Sequence, residues 1–537
     1  MQSAHGQKSR WIGLLFICIS LLVISLDNTV LNVALPSISN ELGASASQLQ
    51  WVVDAYVLVF AALLLTMGSV SDRIGRKRAL QFGVGWFGLF SLGAALSTST
   101  NMLIGMRALL GIGGATIMPA TLSLITAMFP NPKERAQAIG IWAAVFGLGV
   151  GIGPVLGGWL LQHYAWHSVF FINVPIATIA VIGGHFALEE SKDEHAPRPD
   201  VPGVLLSIGG LFSLVYAIIE AGQKSWTASN VLVAFAAAGL LLVTFAWWEN
   251  RTSNSMLPVR FFKNMSFTGA NLALTLLVFS MFGALFFLSQ YLQSVQGYTA
   301  LQTGVRLFPM ALTMMVAAAS SARIARAVGT KLAVSGGILI AAIAMLFMAE
   351  AYTVDSSYPT LLFGLMLLAV GLGTAMAPAT NSIMGSVPVD KAGVGSAMND
   401  TNRMVGGALG VAVLGTFMNN AYRHQVDTML AQLQSKPSTQ LVSAVKSSIQ
   451  GAHMAAAQLP VPAVAQQIFN GSNQAFVSGM TEAMFAAAII MGIASVVAFI
   501  ILPAQVRPWT TVEGLVETVD VEAGVAEAST SAVTAGD

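Results

Sequence analysis

Charge is scarce in this 537-residue chain: Asp, Glu, Lys and Arg together supply 9% of it, against 55% hydrophobic residues. That leaves too little polar surface to keep a globular protein of this length in water, and the mean hydropathy of +0.72 points the same way. Cysteine is nearly absent. The single thiol, Cys18, excludes an internal disulfide and says little about compartment. No Gly-x4-Gly-Lys-Ser/Thr stretch occurs, so direct drive by a nucleotide is unsupported. Clustered His/Cys ligands for a metal are missing as well, so neither metal nor cofactor is expected. The net charge of +1 excludes a nucleic-acid partner. Also lacking are ten-residue alternating strands, which excludes a closed β-barrel.

What fills the chain is long apolar runs. One membrane crossing takes about 20 mostly apolar residues, and the hydropathy pattern predicts about fourteen, from a first near 12–34 to a last near 481–502. The first follows Lys8 and Arg10 and has no small-residue cleavage site, so it reads as a retained helix, not a signal peptide. Most Lys and Arg gather on one side of the alternating loops, which places both termini in the cytoplasm and requires an even number of crossings. The fold class is therefore all-α and integral to the lipid bilayer.

An internal echo organises the runs. Gly111-x-Gly113 recurs as Gly371-x-Gly373, Gly149/Gly153 as Gly406/Gly410, and Gly75-x-Lys77 as Gly329-x-Lys331, at a nearly constant offset. Tandem halves of this kind place one binding site at a shared interface. The copies are unequal: Asp72 of the first corresponds to Arg326 of the second. We divide the chain into an N-terminal six-helix bundle (1–200), an inserted pair of spans (201–250), a C-terminal six-helix bundle (251–505) and a disordered acidic tail (506–537). Within the second bundle, 419–480 is a long polar stretch on the outer side, helical in part around Gln425–Leu433.

Four sets of residues carry chemistry. Asp27 lies in the first apolar run, where a carboxylate must face a cavity, pair with a cation or hold a proton. Arg107 on the fourth run is its natural partner; it keeps its proton and so tunes an acid without carrying the proton itself. Asp54 is nearer the outer end of the second run, where coupling and an N-cap role are equally open. Next, Gly149, Gly153 and Gly157 repeat every four residues on one helical face with Pro154 among them and Gly158 following, a face built for close approach and a bend. Third, Gly68-Ser-Val-Ser-Asp72-Arg73-Ile-Gly75-Arg76-Lys77-Arg78 joins two spans on the basic side: Gly75 allows the reversal, and Asp72 can bind a helix end or a basic group across the halves. Fourth, Asp400 and Arg403 stand three apart on the thirteenth run, close enough for an internal pair.

Taken together these motifs resemble one family. The Asp72 loop is similar to the signature of the major facilitator superfamily, the Gly-Pro run to its antiporter motif, and Leu26-Asp27-x-Thr29-Val30-x-Asn32-Val33-Ala34-Leu35-Pro36 to the first-helix motif of its fourteen-helix drug:proton antiporters. The resemblance covers about residues 12–420 and 481–505. It implies two six-helix bundles with two additional central helices. It further implies proton coupling through Asp27, Arg107 and Asp54, and a gating latch of Gly68, Asp72, Arg73, Gly75, Arg76 and Lys77. Conformational coupling would run through Gly149, Gly153, Pro154, Gly157 and Gly158, and a substrate cavity would include Asn28, Asn32, Asp400 and Arg403. The expected function is efflux of amphipathic, often cationic organic compounds across the cytoplasmic (inner) membrane in exchange for protons. The protein would be a monomer without enzymatic activity. A dedicated exporter of one endogenous metabolite, lipid or siderophore is the alternative.

Overall fold

A computed structural model of the protein describes residues 4–42, 44, 46–192, 200–223, 225–252, 257–432 and 438–505. The tail 506–537 and the side chain of Asn32 lie outside the described residues. Among those residues every regular element is helical. The first bundle comprises α1 (Ala4–Leu42), α2 (Ala46–Ile74), α3 (Arg76–Ala95), α4 (Thr100–Met128), α5 (Pro132–His163) and one crossing shared by α6 (Ser168–Phe171) and α7 (Asn173–Ala187). Then come α8 (Val201–Gln223) and α9 (Ser229–Arg251). The second bundle holds α10 (Met265–Gln290), α11 (Ala300–Ala351), α12 (Tyr358–Gly385), α13 (Ala392–Ala431), the short α14 (Thr439–Ser447) and α15 (Ile449–Ala457), and α16 (Pro462–Ile501).

Local chemistry sets several starts. Ser99 accepts from the Met102 amide ahead of α4, Asn131 accepts from the Lys133 amide ahead of Pro132 in α5, and Thr299 with Gln302 closes a capping box at α11. At about 1.5 Å per residue the 52 residues of α11 far exceed a hydrocarbon core of about 30 Å. The break is at Gly329, φ 87°. Gly371 of α12 lies against Gly337 and Ala341 while Gly373 lies against Met314 and Ala317, so the two arms of α11 flank α12 at one height and run in opposite directions. Twelve segments have the length and hydropathy of a crossing. Counting α11 twice and adding α3, whose three leading basic residues dilute its hydropathy, gives fourteen.

Among the described residues two large hydrophobic cores result, one drawn mainly from α1–α7 and one from α10–α16, with a small third cluster of Leu58, Ala61 and Val215 where α8 meets α2. α5 lies between α1 of its own bundle and the first arm of α11 in the other. α8 packs on α2 and α13, at the seam of the bundles, and α9 packs on α8. The periphery is apolar: Phe186 is 84% exposed and Leu240 70%, as suits a surface surrounded by lipid. The protein is integral to a membrane.

The 419–480 stretch differs from a polar loop. α13 runs on to Ala431 and α16 starts at Pro462, so both overshoot the bilayer, and α14 and α15, capped by Ser438 and Ser448, pack against the extension. The Tyr422 hydroxyl donates to the Val445 carbonyl at 2.8 Å, and His453 bonds Asn473 at 2.8 Å. Small and polar residues gave this stretch low hydropathy, but their helix propensity and serine caps suffice once packed.

Candidate functional site: a buried acid and an interbundle latch

Asp27 is 2% exposed and fully engaged. One carboxylate oxygen pairs with Arg107 Nη1 from α4; the other accepts from Asn173 Nδ2 of α7 at 3.0 Å. Asn173 Nδ2 also lies 3.0 Å from Ser91 Oγ on α3. Arg107 donates through Nε to the Val52 carbonyl of α2 at 3.0 Å, and its Cζ sits 4.5 Å from the Tyr56 ring centroid. A buried ion pair persists only when its remaining valences are met, and here five helices meet them. Arg107 is seven residues into α4 from the end opposite the basic loops, which puts the pair about 10 Å below that face. Asp54 is half-buried two residues past Val52, and Asn28 half-buried beside Asp27.

The latch lies at the other end. Asp72, 4% exposed at the end of α2, accepts from the Gly393 amide at 2.9 Å and the Val394 amide at 3.3 Å. These are first-turn donors of α13, so a carboxylate of one bundle caps a helix of the other. Arg76 joins the bundles beside it. It bonds Asp72 Oδ1 at 2.8 Å and Ser191 Oγ at 3.0 Å, and donates to the carbonyls of Val389 and Asp390 ahead of α13. Gly68 and Gly393 are pressed together: a Cβ on Gly68 would lie 2.5 Å from the Gly393 carbonyl oxygen. Gly75 turns with φ 112° above the Glu190 carboxylate, which accepts from the Lys77 and Arg78 amides, while Lys77 Nζ donates to the His185 carbonyl. Arg73 is exposed, so the guanidinium that crosses to the other bundle is Arg76.

Between these ends α5 is a two-sided wedge. A Cβ on Gly149 would lie 2.3 Å from Ser25 Oγ, one on Gly153 1.8 Å from Thr29 Oγ1, and one on Gly157 3.1 Å from Val30, all on α1. Gly151 and Gly158 face Ala311 and Leu301 of α11, and Gly304 of α11 abuts Pro154 and Val155. α5 therefore packs directly on both the helix carrying Asp27 and the opposite bundle.

A second buried acid, Asp400, lies eight residues into α13 from the end that Asp72 caps, about 12 Å along the helix. Asp400 and Arg403, 1% and 4% exposed, form no direct ion pair. Asn399 donates to Asp400 Oδ1 at 3.0 Å and accepts from Thr380 of α12. Arg403 instead reaches across to α5, its Cζ 4.2 Å from the Phe146 ring and 5.5 Å from that of Trp142. Among the described residues Asp400 Oδ2 and Arg403 Nη2 have no hydrogen-bond partner; such atoms cost about 1–3 kcal/mol each when buried, more when charged.

Sequence reading missed Asn173, Ser91 and Tyr56 around Asp27, and Trp142 and Phe146 against Arg403. Asn173 carried a signal, since it is a polar residue between Phe170-Phe171-Ile172 and Val174-Pro175 inside an apolar run. Trp142 and Phe146 carried none, because aromatic residues are ordinary in any membrane helix.

Residues 17–411 match the Major Facilitator Superfamily. The chain is 35% identical to the multidrug efflux pump LfrA of Mycolicibacterium smegmatis over 488 residues, 91% of this chain and 95% of that one. It is 34% identical to the tetracenomycin C resistance and export protein of Streptomyces glaucescens, over 77% of each. Among solved structures the proton:xylose symporter XylE shares the fold, with a TM-score of 0.60 at 11% identity over 93% of this chain and 97% of that one. The chain belongs to the Major Facilitator Superfamily.

Proposed function

We propose that the protein exports amphipathic, often cationic organic compounds by alternating access, in exchange for protons. The observation that carries this is the Asp27 site: one titratable group, buried in a membrane span, bonds directly to two other helices. A proton arriving there removes one charge of the pair and leaves Arg107 with a carbonyl and a ring. Losing one partner of a buried pair costs about 3–5 kcal/mol, enough to shift a balance between two conformations. Asp27 sits on the helix that Gly149, Gly153 and Gly157 of α5 grip, and α5 also grips α11 across the seam. Protonation at Asp27 thus acts on the bundle interface, and the Asp72–Arg76 latch holds one conformation until the bundles rock.

Likeness to an efflux pump and an antibiotic exporter supports outward transport of small molecules. In this reading residues 1–200 and 251–505 are the moving halves, the membrane is the cytoplasmic one with both termini inside, the chain acts as a monomer, and the proton is the only coupling ion.

The test is transport by the purified protein in liposomes, with an imposed pH gradient and a panel of lipophilic cations and neutral compounds. Accumulation should follow the gradient and stop when an ionophore collapses it. Equal transport after collapse would remove the proton from the mechanism.

A further inference from the structure

The Asp400 site is chemically unfinished, and the way it is unfinished specifies what completes it. One buried atom lacks a donor and another, one helical turn along, lacks an acceptor: Asp400 Oδ2 and Arg403 Nη2. They belong to side chains of opposite sign that make no bond to each other. Arg403 is turned instead toward the Phe146 and Trp142 rings on the opposite bundle. Trp142 is itself fixed, its Nε1 donating to Thr121 Oγ1 at 3.1 Å, and Asn399, held in turn by the Thr380 hydroxyl, donates to the other Asp400 oxygen. Both ends are therefore oriented in advance, Asp400 by Asn399 and Arg403 by the two rings, where α13 of one bundle faces α5 of the other.

Resting on the export reading above, we propose that this site binds amphipathic zwitterions, with the cargo's ammonium on Asp400 and its carboxylate or equivalent anion on Arg403. A permanent cation alone would satisfy Asp400 and leave Arg403 open. An anion alone would do the reverse. Only a cargo carrying both signs meets both valences with charge-assisted bonds, which are the strong ones. The aromatic rings then act through Arg403, as positioning residues that keep the guanidinium from neutralising Asp400.

The experiment uses the full-length protein in nanodiscs and three fluorescent probes of one skeleton: Nε-dansyl-lysine, a zwitterion; its methyl ester, a cation; and its Nα-acetyl derivative, an anion. The zwitterion should bind about 10-fold or more tighter than either relative. Arg403→Gln should bring the zwitterion down to the ester while the ester moves by no more than about 2-fold; Asp400→Asn should bring it down to the acetyl derivative. Equal binding of the three probes to the unaltered protein, binding of none, or variants that weaken all three alike would overturn the proposal. If a variant fails to fold, the ranking on the unaltered protein decides. Gradient-driven export without the ranking sinks this inference alone, whereas the ranking without gradient-driven export sinks the proton reading and leaves the site standing.

Discussion

The two buried acid–arginine sites are built from the same residue types and differ in every connection. Asp27 and Arg107 come from different helices, bond each other, and have their remaining valences met by Asn173 and the Val52 carbonyl. Asp400 and Arg403 share α13, do not bond, and each keep an open atom. A saturated pair is a bolt: it ties elements together, and something must be removed from it before they part. An open pair is a receptor, because its best state includes a molecule the protein does not supply. On this reading the coupling ion belongs to the first bundle and the cargo to the face of the second, at positions that the internal repeat does not pair with each other.

That division breaks most visibly in paired substitutions. Asp27→Asn keeps the volume and removes the proton-dependent charge, so gradient-driven efflux should fall by about 100-fold or more for every cargo, with insertion and folding intact. Asp400→Asn should instead lower efflux by about 10-fold for cargo bearing an ammonium, and the remainder should still follow the gradient. Efflux assays across a pH series separate the outcomes. A gradient-independent remainder in Asp400→Asn, or a cargo-selective loss in Asp27→Asn, would reverse the assignment.

The reversal loops sharpen the same contrast more gently. Each is pinned by the chain leaving its own bundle's last crossing: the Arg76 amide donates to the Ser191 carbonyl at 2.9 Å and the Thr330 amide to the Ala504 carbonyl at 2.8 Å. Only the first reaches the other bundle, because Asp72 is buried on α13 while Arg326, its counterpart, is exposed. Asp72→Ala should slow turnover by about 10-fold with cargo affinity changed by less than about 2-fold, since the latch meets helix amides and no cargo. Arg326→Ala should leave both within about 2-fold. Stopped-flow efflux alongside equilibrium binding tells them apart, and equal slowing by the two substitutions would mean that both loops latch.

Much of this was legible in the sequence, for reasons that differ by residue. Asp27 and Arg107 stood out because charge in lipid is costly wherever it sits, so their meeting needed only the helices' relative depth. The break in α11 was readable from Gly329-x-Lys331 echoing Gly75-x-Lys77. The choice of Arg76 over Arg73 was not, since both are arginines on one loop and only the helix phase decides which faces α13. Nor was the orientation of Arg403: three-residue spacing brings it beside Asp400, and the rings that draw it away come from a helix some 250 residues distant in sequence. Of the outer helical extension only the part near Gln425–Leu433 was legible, and α14 and α15 were not, because hydropathy reports crossings and is blind to a helix in water.

That extension belongs only to the second bundle and supplies the smallest test. His453 stacks on Phe469 with centroids 4.2 Å apart and bonds Asn473. Burial holds its pKa below the ordinary 6.5, with the Asn473 bond opposing. An unfolded segment would then bind the proton more readily than the folded one. The contribution to stability is complete above about pH 6.5 and declines as pH falls below it toward the folded value. Proteolysis between α14 and α16 should therefore speed up modestly at about pH 5 relative to about pH 7.5, and His453→Gln should flatten that dependence. If the first bundle alone couples protons, the same substitution moves the pH profile of efflux by less than about 2-fold, since the charge it alters lies in water, outside the Asp27 site. A displaced efflux profile in His453→Gln would place part of the proton response in the second bundle and end the division argued from Asp27 and Asp400.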